Sequence, residues 1–424
     1  MLIHQNRLVS GHMILFLALG LLFAACGDQE RRISEPDLPI FVALGELAGG
    51  EDFSEALAVS SDGTTVIGHS RSAKSNPDTE AFVWREDRGI VAMGSLPGGL
   101  HRSQAIAVSG DGGVIVGNAS SGAGINEAFR WSSSTGMIRI GDLAGGEFSS
   151  GALSVSTDGS IIVGWGSSEN GFEAAKWLSA DGPLPLGDIA EGGFRSSAAV
   201  ISADGTLVVG TGNSEDGTET VRWTLDGAIE ALGDLPGGDY YSEPYAITPF
   251  GLVIVGESAS HRGTEAFRWS SAEGMRGLGD MNGGDHHSAA LGVSDDGLRV
   301  VGMATSSRGE EAVIWEKGMD LVAVSSLLLR QGATAHEDWY LQRVTGVSGD
   351  GMTLVGYGLN PYGKTEAWLV RNLKRTDSTG SAIVVNRTTR ESPPTEDVYP
   401  ALAPSPPDKE ETPSSKTSIT ASEI

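Results

Sequence analysis

The chain has 424 residues, of which 60 are Gly and 20% are charged, and acidic residues outnumber basic ones by 55 to 29. The formal net charge of −26 repels nucleic acids and anionic lipid headgroups, so neither is an expected partner through charge alone. Gly, Val, Ile, Ala and Ser dominate and no long stretch has helical periodicity, which predicts an all-β protein of short strands and tight turns.

Residues 1–25 have the pattern of a signal peptide. Arg7 stands in a short polar start, and the apolar run Met13–Ala25 that follows is too short for a comfortable transmembrane helix. The next residue, Cys26, is the only cysteine, so no internal disulfide can form. Residues 26–38 are then expected to form a lipidated cysteine and a short tether.

The segment "LLFAAC" resembles the lipobox of bacterial lipoproteins, with two Ala before Cys26, although Phe23 stands where Leu is usual. The resemblance implies cleavage before Cys26, a diacylglycerol on its thiol and acylation of the new amino end. Several acyl chains together suffice for stable anchoring. The expected location is therefore extracytoplasmic, on the outer membrane or cell surface, because Gly27 replaces the Asp typical of inner-membrane retention. The alternative is ordinary secretory cleavage beside a bystander cysteine.

Four short motifs recur in fixed order along most of the remaining chain. The first is Glu-x-x-x-Trp, with a step of 47 and then 46 residues: Glu80/Trp84, Glu127/Trp131, Glu173/Trp177, Glu219/Trp223, Glu265/Trp269 and Glu311/Trp315, followed by a variant at Glu366–Val370. The others are an apolar-Val/Ile-Gly triplet, a "S-x-D-G" tetrapeptide and a "LGDL"-type segment. This regularity predicts a repeat protein.

Each repeat divides into four strand-length pieces. In the third repeat these are "GALSVS", "SIIVGWG", "FEAAKWL" and "LPLGDI", separated by "TDG", "SSENG" and "SADG". Turns of the x-D-G type suit hairpins because Gly supplies the positive φ. Four antiparallel strands every 46 residues are typical of a β-propeller blade, and seven repeats predict a seven-bladed β-propeller. A β-solenoid is the alternative.

The two ends of the repeat region predict closure of the ring. A fourth strand follows only the first six triplets of strands, the last being Asp320–Ser326, whereas an unattached strand, Pro39–Leu47, stands at the start. We expect it to pair beside Glu366–Val370, completing the last blade and leaving no open edge. The propeller would then span residues 39–373.

The repeat consensus resembles the HAF repeat of probable extracellular repeat proteins in bacteria. The segments "EAFVW" and "EAFRW" stand where that family has His-Ala-Phe, with Glu80, Glu127 and Glu265 replacing His. The resemblance covers residues 43–371 and implies an extracytoplasmic repeat protein, but no established activity. After it, residues 374–424 are rich in Pro, Ser, Thr and Glu, which predicts a disordered tail. A spacer or stalk is the alternative for this tail.

The connection between the fourth strand and the next repeat varies at two central positions while its flanking Gly and Ser are kept. A rigid ring that presents variable loops is how repeat scaffolds bind ligands. The alternative is that these side chains only seal gaps between blades. The predicted ligand-binding face comprises Arg102, Phe148, Phe194, Arg195, Tyr240, Tyr241, His286, His287, Trp339 and Tyr340.

Signals for catalysis or metal binding are weak. His286 and His287 are adjacent and point in different directions, and the Asp of x-D-G is explained by the turn. The strand-borne Glu recurs in every repeat, which favours a structural role. No cofactor, metal or catalytic residue is therefore assigned.

Two function classes follow. The first is a non-catalytic, membrane-anchored binding module for an extracellular or periplasmic protein or glycan. The alternative is a propeller enzyme acting on an extracellular polysaccharide or similar polymer. An enzyme would need a carboxylate cluster or a metal at one end of the axis, breaking the seven-fold pattern, and the sequence breaks that pattern at Leu327–Arg343.

Overall fold

Short antiparallel strands are the main element of the structure, which is a computed structural model. It describes residues 38–122, 126–178, 182–189, 192–224, 227–316, 321–376 and 382–383. The predicted signal peptide, Cys26 and the residues that follow it up to 37 lie outside the described residues, as does the tail from residue 384. Among the described residues, no helix has the length and apolar character needed to cross a bilayer.

The first strand stands alone at the start of the described chain, and the next twelve belong to the first three repeats. Their bounds are β1 (Ile40–Ala43), β2 (Gly49–Val59), β3 (Val66–Ser72), β4 (Glu80–Arg85), β5 (Gly89–Ala92), β6 (Ser103–Val108), β7 (Ile115–Ser120), β8 (Asn126–Ser132), β9 (Gly136–Arg139), β10 (Gly145–Val155), β11 (Ile161–Ser168), β12 (Gly171–Leu178) and β13 (Gly182–Pro185). Each of these three repeats forms one four-stranded antiparallel sheet in chain order.

The following repeats form a larger sheet of 12 strands. Its members are β14 (Ser197–Ile201), β15 (Val208–Asn213), β16 (Thr218–Trp223), β17 (Ile229–Gly233), β18 (Gly237–Ile247), β19 (Ile254–Ser260), β20 (Gly263–Ser270), β21 (Gly274–Gly277), β22 (Gly283–Val293), β23 (Arg299–Ser306), β24 (Gly309–Glu316) and β25 (Val322–Ala323). It consists of three antiparallel sets of four strands, joined by single parallel pairings of Thr218 with Tyr241 and of Thr264 with His287.

The last repeat forms a four-stranded sheet with the strand that begins the described chain. Its own strands are β26 (Tyr340–Val347), β27 (Leu354–Leu359) and β28 (Thr365–Arg371), and the strand order is β1-β28-β27-β26. The register places Phe41 opposite Val370 and Ala43 opposite Trp368. The predicted pairing of the first strand beside Glu366–Val370 is confirmed, although the strand itself is shorter than Pro39–Leu47.

The repeated residues are repeated because neighbouring sheets need the same packing. Phe82, Phe129 and Phe267 of the Glu-x-x-x-Trp segments are fully buried. The Gly that ends each apolar triplet lies against the first strand of its own sheet, since a Cβ on Gly68 would come within 1.9 Å of the carbonyl oxygen of Glu55. The Asp of the x-D-G turn is also structural: Asp158 Oδ1 accepts hydrogen bonds from Ser156 Oγ and from the backbone N–H of Ser160, at 2.7 and 3.0 Å. These bonds lower the pKa of Asp158 to about 2.

The predicted fourth strand of the sixth repeat is wrong beyond its first residues. The strand β25 ends at Ala323, and helix α1 (Val324–Arg330) replaces the extended run to Ser326. The helix buries Val324, Leu327 and Leu328 against the sheet. Leu is a strong helix former, and three consecutive Leu residues favour a short helix over a strand whose side chains alternate between two faces.

The described fold extends slightly past the predicted start of the tail. The buried Arg299 donates to the carbonyl oxygens of Leu373 and Lys374 at 3.0 and 3.1 Å. Arg375 forms an ion pair with Asp296, and a short pairing joins β29 (Arg375–Thr376) to β30 (Ala382–Ile383). The first residues assigned to the tail are therefore attached to the sheets.

Candidate binding site at a central cavity

A cavity of about 540 Å³ is lined by the first strand of every repeat, namely β2, β6, β10, β14, β18, β22 and β26. We call it the central cavity. Its wall is mostly apolar and includes Leu57, Ile106, Leu153 and Leu291. The charged lining residues are Glu55, Glu243 and Arg343, which come from three of the strands. Pockets that combine an apolar wall with a few polar groups are typical ligand sites.

The charged residues occupy one position of the repeat. Each lies on the first strand, opposite a residue of the second strand that also differs from repeat to repeat. The pairs are Glu55/His69, Gln104/Asn118, Gly151/Trp165, Ser197/Thr211, Glu243/Glu257, Ala289/Met303 and Arg343/Tyr357. Since side chains alternate along a strand, the lining residue two positions on from Glu55 is apolar Leu57, and from Glu243 it is Tyr245. The charges thus form one layer beside an apolar one, which we call the charged layer.

Two carboxylates of the charged layer lie side by side in the fifth repeat. Tyr241 Oη is 2.8 Å from Glu243 Oε2 and 3.0 Å from Glu257 Oε1. Burial and the two carboxylates raise the pKa of Tyr241, and burial followed by the same carboxylates raises that of Tyr245. Both hydroxyls therefore remain protonated hydrogen-bond donors at neutral pH.

The single arginine of the charged layer is already paired. Arg343 Nε and Nη2 each donate to a different carboxylate oxygen of Glu310 at 2.8 Å. This hydrogen bonding lowers the pKa of Glu310 and raises that of Arg343. Burial raises the pKa of Tyr357 to about 12. Bidentate pairing holds the guanidinium rigidly in place.

Glu55 and His69 form another pair of facing residues in the charged layer. His69 Nε2 is 3.4 Å from Glu55 Oε2, and the imidazole is stacked at a tilt on Phe53, with ring centroids 5.8 Å apart. Burial lowers the pKa of His69 to about 4, so the ring is neutral at pH 7. Burial also raises the pKa of Glu55, and nearby Arg343 opposes that rise. His69 thus adds no positive charge to the layer.

The other side of the charged layer is uncharged. At Gly151 a Cβ would come within 2.5 Å of Trp165 Nε1, so the indole occupies the space of a missing side chain. Phe172 lies edge-on to Trp165, with ring centroids 5.0 Å apart. The layer therefore combines carboxylates in some repeats with an aromatic surface in another.

The first variable position of the predicted binding face seals adjacent repeats. Tyr240 Oη donates to Glu219 Oε2 of the preceding repeat at 2.9 Å, and His286 Nε2 is 3.3 Å from Glu265 Oε2 of its preceding repeat. Burial and Glu219 raise the pKa of Tyr240 to about 12. Phe148 and Phe194 occupy the same position and are each 40% exposed. These contacts give Tyr240 and His286 a packing role.

The second variable position points toward the charged layer in two repeats. Tyr241 contacts both carboxylates, and His287 Nε2 lies 3.8 Å from Glu257 Oε2. Arg195 instead lies over the ring of Phe172, with its guanidinium carbon 5.7 Å from the centroid, and Arg102 is exposed.

Two predicted residues belong to Leu327–Arg343, the segment that breaks the repeat pattern, and both contact other parts of the fold. Trp339 packs edge-on against Phe41 at a centroid distance of 5.2 Å, at the closure of the last sheet. Tyr340 Oη donates to the carbonyl oxygen of Arg308 at 3.0 Å. Trp339 is therefore part of the core that joins β1 to the last repeat.

Sequence reasoning missed most of the charged layer. Glu55, His69, Glu243, Glu257, Glu310, Arg343 and Tyr357 were not among the predicted site residues. The signal was present, because the residue after the Ser of the first strand (after Gln342 in the last repeat) differs between most repeats, and the residue after the Gly of the second strand differs in every repeat. Among the described residues, no group of three His, Cys, Asp or Glu side chains is placed to hold a metal ion.

No family model matches the chain, and neither does any curated protein. Solved structures do match. Puromycin hydrolase is similar with a TM-score of 0.50 and 14% identity, over 75% of this chain and 52% of that one. TolB from Acinetobacter baumannii gives a TM-score of 0.43 and 14% identity, over 60% of this chain and 62% of that one. The β-propeller domain of the Trilobed protease from Pyrococcus furiosus gives a TM-score of 0.45 and 11% identity, over 75% of this chain and 95% of that one. At such identities a likeness concerns the fold alone, and this chain spans about half of puromycin hydrolase.

Proposed function

We propose that the repeats form a closed seven-bladed β-propeller and that the protein is a non-catalytic binding module with its ligand site in the central cavity. Support for the ring comes from the pairing of β1 with β28 and from a single cavity that the first strands of all repeats line. A β-solenoid would stack its coils in a row and would not bring the first and last repeats to one cavity.

One observation carries the binding role. The charged layer lies beside an apolar wall and differs in every repeat, whereas the packing residues around it are nearly invariant. A purely structural repeat would have no need for such variation at the residues that face a cavity. The ligand would enter past the charged layer and bury its apolar part beyond it.

The location belongs to the same proposal. Lipid attachment at Cys26 would hold the module at a membrane, outside the cytoplasm, and the HAF-like repeat fits a protein that works there. Its partner would be an extracellular or periplasmic molecule. Metabolic labelling with a radioactive fatty acid tests the anchor, since Cys26→Ser should lose the label, and equal labelling of both proteins would exclude it.

The proposed binding site is tested by substitutions that fill the central cavity with larger side chains. A chemically diverse library is screened by thermal shift against the protein, against Leu153→Trp and the milder Leu153→Phe inside the cavity, and against Leu184→Trp on outer strand β13 as the control. Ligands should bind the parent and the control and lose their shift in the filled variants, each first checked for a parent-like circular dichroism spectrum. Binding that is indifferent to filling would contradict the proposed site.

One specific observation favours the enzyme alternative. Four carboxylates, those of Glu55, Glu243, Glu257 and Glu310, lie in or beside one layer, and the pKa of Glu55 is raised by burial, as a general acid requires. In that case Glu55 would donate a proton to a leaving group of an extracellular polymer. Release of reducing ends from a polysaccharide panel, abolished by Glu55→Gln, would favour the enzyme, and no release from any member would favour the binding module.

A further inference from the structure

We propose that the central cavity binds an organic cation, a single ammonium group on an unbranched apolar stem, with the ammonium between Glu243 and Glu257 and the stem against the apolar wall. The proposal rests on the proposed function, because it names the ligand class of the same site.

The first argument is the position of the two carboxylates. Glu243 and Glu257 are directly opposite each other on β18 and β19, and like charges in that arrangement repel. The side chain of Glu257 is only 15% exposed, so water screens the repulsion poorly. A cation placed between the two groups would turn this repulsion into attraction.

The second argument is a count of protons. Tyr241 Oη is within hydrogen-bond distance of both carboxylates, yet a hydroxyl has a single proton to donate. The hydroxyl therefore donates to only one of the two carboxylates at a time. An ammonium group carries three donors and can donate to both carboxylates at once.

The third argument is that the charged groups nearby do not neutralise Glu243 and Glu257. Arg343 is held by Glu310 through two hydrogen bonds, and His69 is neutral beside Glu55. His287 approaches Glu257 only to 3.8 Å, with a side chain 44% exposed. The three carboxylates of the charged layer, with the adjacent Glu310, thus face one arginine. Since no group of three possible metal ligands exists among the described residues, an organic cation fits better than a metal ion.

The apolar wall determines the chemistry of the ligand's stem. On the same strand as Glu243 the cavity is lined by Tyr245, on the adjacent β22 by Leu291, and on the more distant β2 by Leu57. A stem that passes these side chains gains about fourfold in affinity for each methylene, the equivalent of about 0.8 kcal/mol per buried CH₂. A second charge at the far end of the stem would have to leave water for this apolar surface, which is unfavourable.

The experiment is calorimetric titration of the full-length mature protein with a small set of probes. n-Hexylammonium should bind, with affinity falling two- to fourfold for each carbon removed through pentyl, butyl and propyl. Hexan-1-ol, hexanoate, methylammonium and 1,6-diaminohexane should each bind at least tenfold more weakly than n-hexylammonium. Glu243→Gln and Glu257→Gln should each weaken n-hexylammonium at least tenfold, and Glu230→Gln on outer strand β17 should leave it unchanged.

The outcomes separate the two proposals. Equal affinity for n-hexylammonium and hexan-1-ol, or affinity unaffected by either Gln variant in a folded protein, would overturn the cation site. If the library screen finds anionic or neutral ligands that cavity filling abolishes, the binding module stands and only the ligand class fails. If cavity filling abolishes the binding of no ligand at all, both proposals fail.

Discussion

Glu243 and Glu257 face each other across two hydrogen-bonded strands, and Tyr241 bridges them with one hydroxyl. Two like charges in that position lower the stability of the fold in the absence of a ligand. Replacing Glu257 by Gln removes one charge and keeps an acceptor for the tyrosine. We expect Glu257→Gln to raise the free energy of unfolding by about 0.5–1 kcal/mol, measured by urea denaturation at pH 7. Lower stability would mean that the carboxylates are already compensated.

The contact between Tyr240 and Glu219 predicts a matched pair of substitutions. Tyr240→Phe removes the hydroxyl that satisfies a nearly buried carboxylate and should cost about 1–2 kcal/mol. The equivalent residues two repeats earlier are Phe148 and Glu127. Among the described residues neither carboxylate oxygen of Glu127 has a hydrogen-bond partner, and Arg139 Nε lies 3.8 Å from Glu127 Oε1. Phe148→Tyr should therefore stabilise the protein by about 1 kcal/mol.

Urea denaturation of both variants checks this pair, with ligand binding measured alongside. Opposite signs for the two substitutions, with n-hexylammonium binding unchanged in both, are expected. Two changes of the same sign would show that this position does not serve the strand-borne Glu.

The comparison of Tyr240 with Tyr241 explains what the sequence could and could not predict. The two residues share one variable segment, and from the sequence both were assigned to a single binding face. They separate because alternate residues of a strand point to opposite sides, so Tyr240 reaches the preceding repeat and Tyr241 reaches the charged layer. The predicted loop is the start of β18, with a bulge between Gly237 and Ser242. A bulge interrupts the alternation of side chains along a strand, so the two-residue period cannot be detected in the sequence.

The closure was predictable for a different reason. Counting the predicted strands left Phe41–Leu44 without a sheet and the last repeat without its fourth strand. Pairing the two was therefore the one arrangement that completed every repeat. The packing contact of Trp339 was not predictable because Leu327–Arg343 has no equivalent in the other repeats to compare with, and its partner Phe41 lies at the other end of the repeat region. Helix α1 was missed because seven residues are too few to establish a helical period.

The closing strand offers a test with an internal control. Phe41 contacts Trp339 and Trp368, with ring centroids 5.2 and 6.3 Å away, whereas its neighbour Ile40 is 48% exposed. Phe41→Ala should lower the free energy of unfolding by about 3 kcal/mol and Ile40→Ala by less than about 1 kcal/mol. Chemical denaturation of the two variants measures the difference. Equal effects would mean that strand pairing alone, and not the aromatic contact, holds β1 in place.

The buried imidazole of His69 predicts a pH dependence of stability. Its pKa is about 4 in the folded protein and 6.5 in its ordinary state. Above pH 6.5 the ring is neutral in both the folded and the unfolded chain. As the pH falls from 6.5 to 4 the unfolded chain binds a proton that the folded chain does not, so the free energy of unfolding decreases, by up to about 3 kcal/mol.

His69→Gln should flatten this part of the stability profile, and His261→Gln, at an exposed position, should not. Denaturation at several pH values between 4 and 7.5 gives the slopes. The raised pKa of Glu55 acts in the opposite direction, since the folded chain then holds a proton above pH 4.5 that the unfolded chain has lost. The difference between wild type and His69→Gln is therefore the quantity to compare. Identical slopes would place the His69 ring in contact with water.

The pairing of β1 with β28 has a consequence for how the chain reaches this state. Gly45 donates a hydrogen bond to Glu366 Oε1, and these residues are 321 positions apart. The first described strand, β1, is thus synthesised long before β28, the strand with which it pairs. Such distant pairing slows folding, although the entropy of closing a loop grows only with the logarithm of its length. A chain that stops before residue 371 leaves β1 unpaired and one sheet incomplete, so a nascent or truncated product presents exposed strand edges until the final repeat has been made.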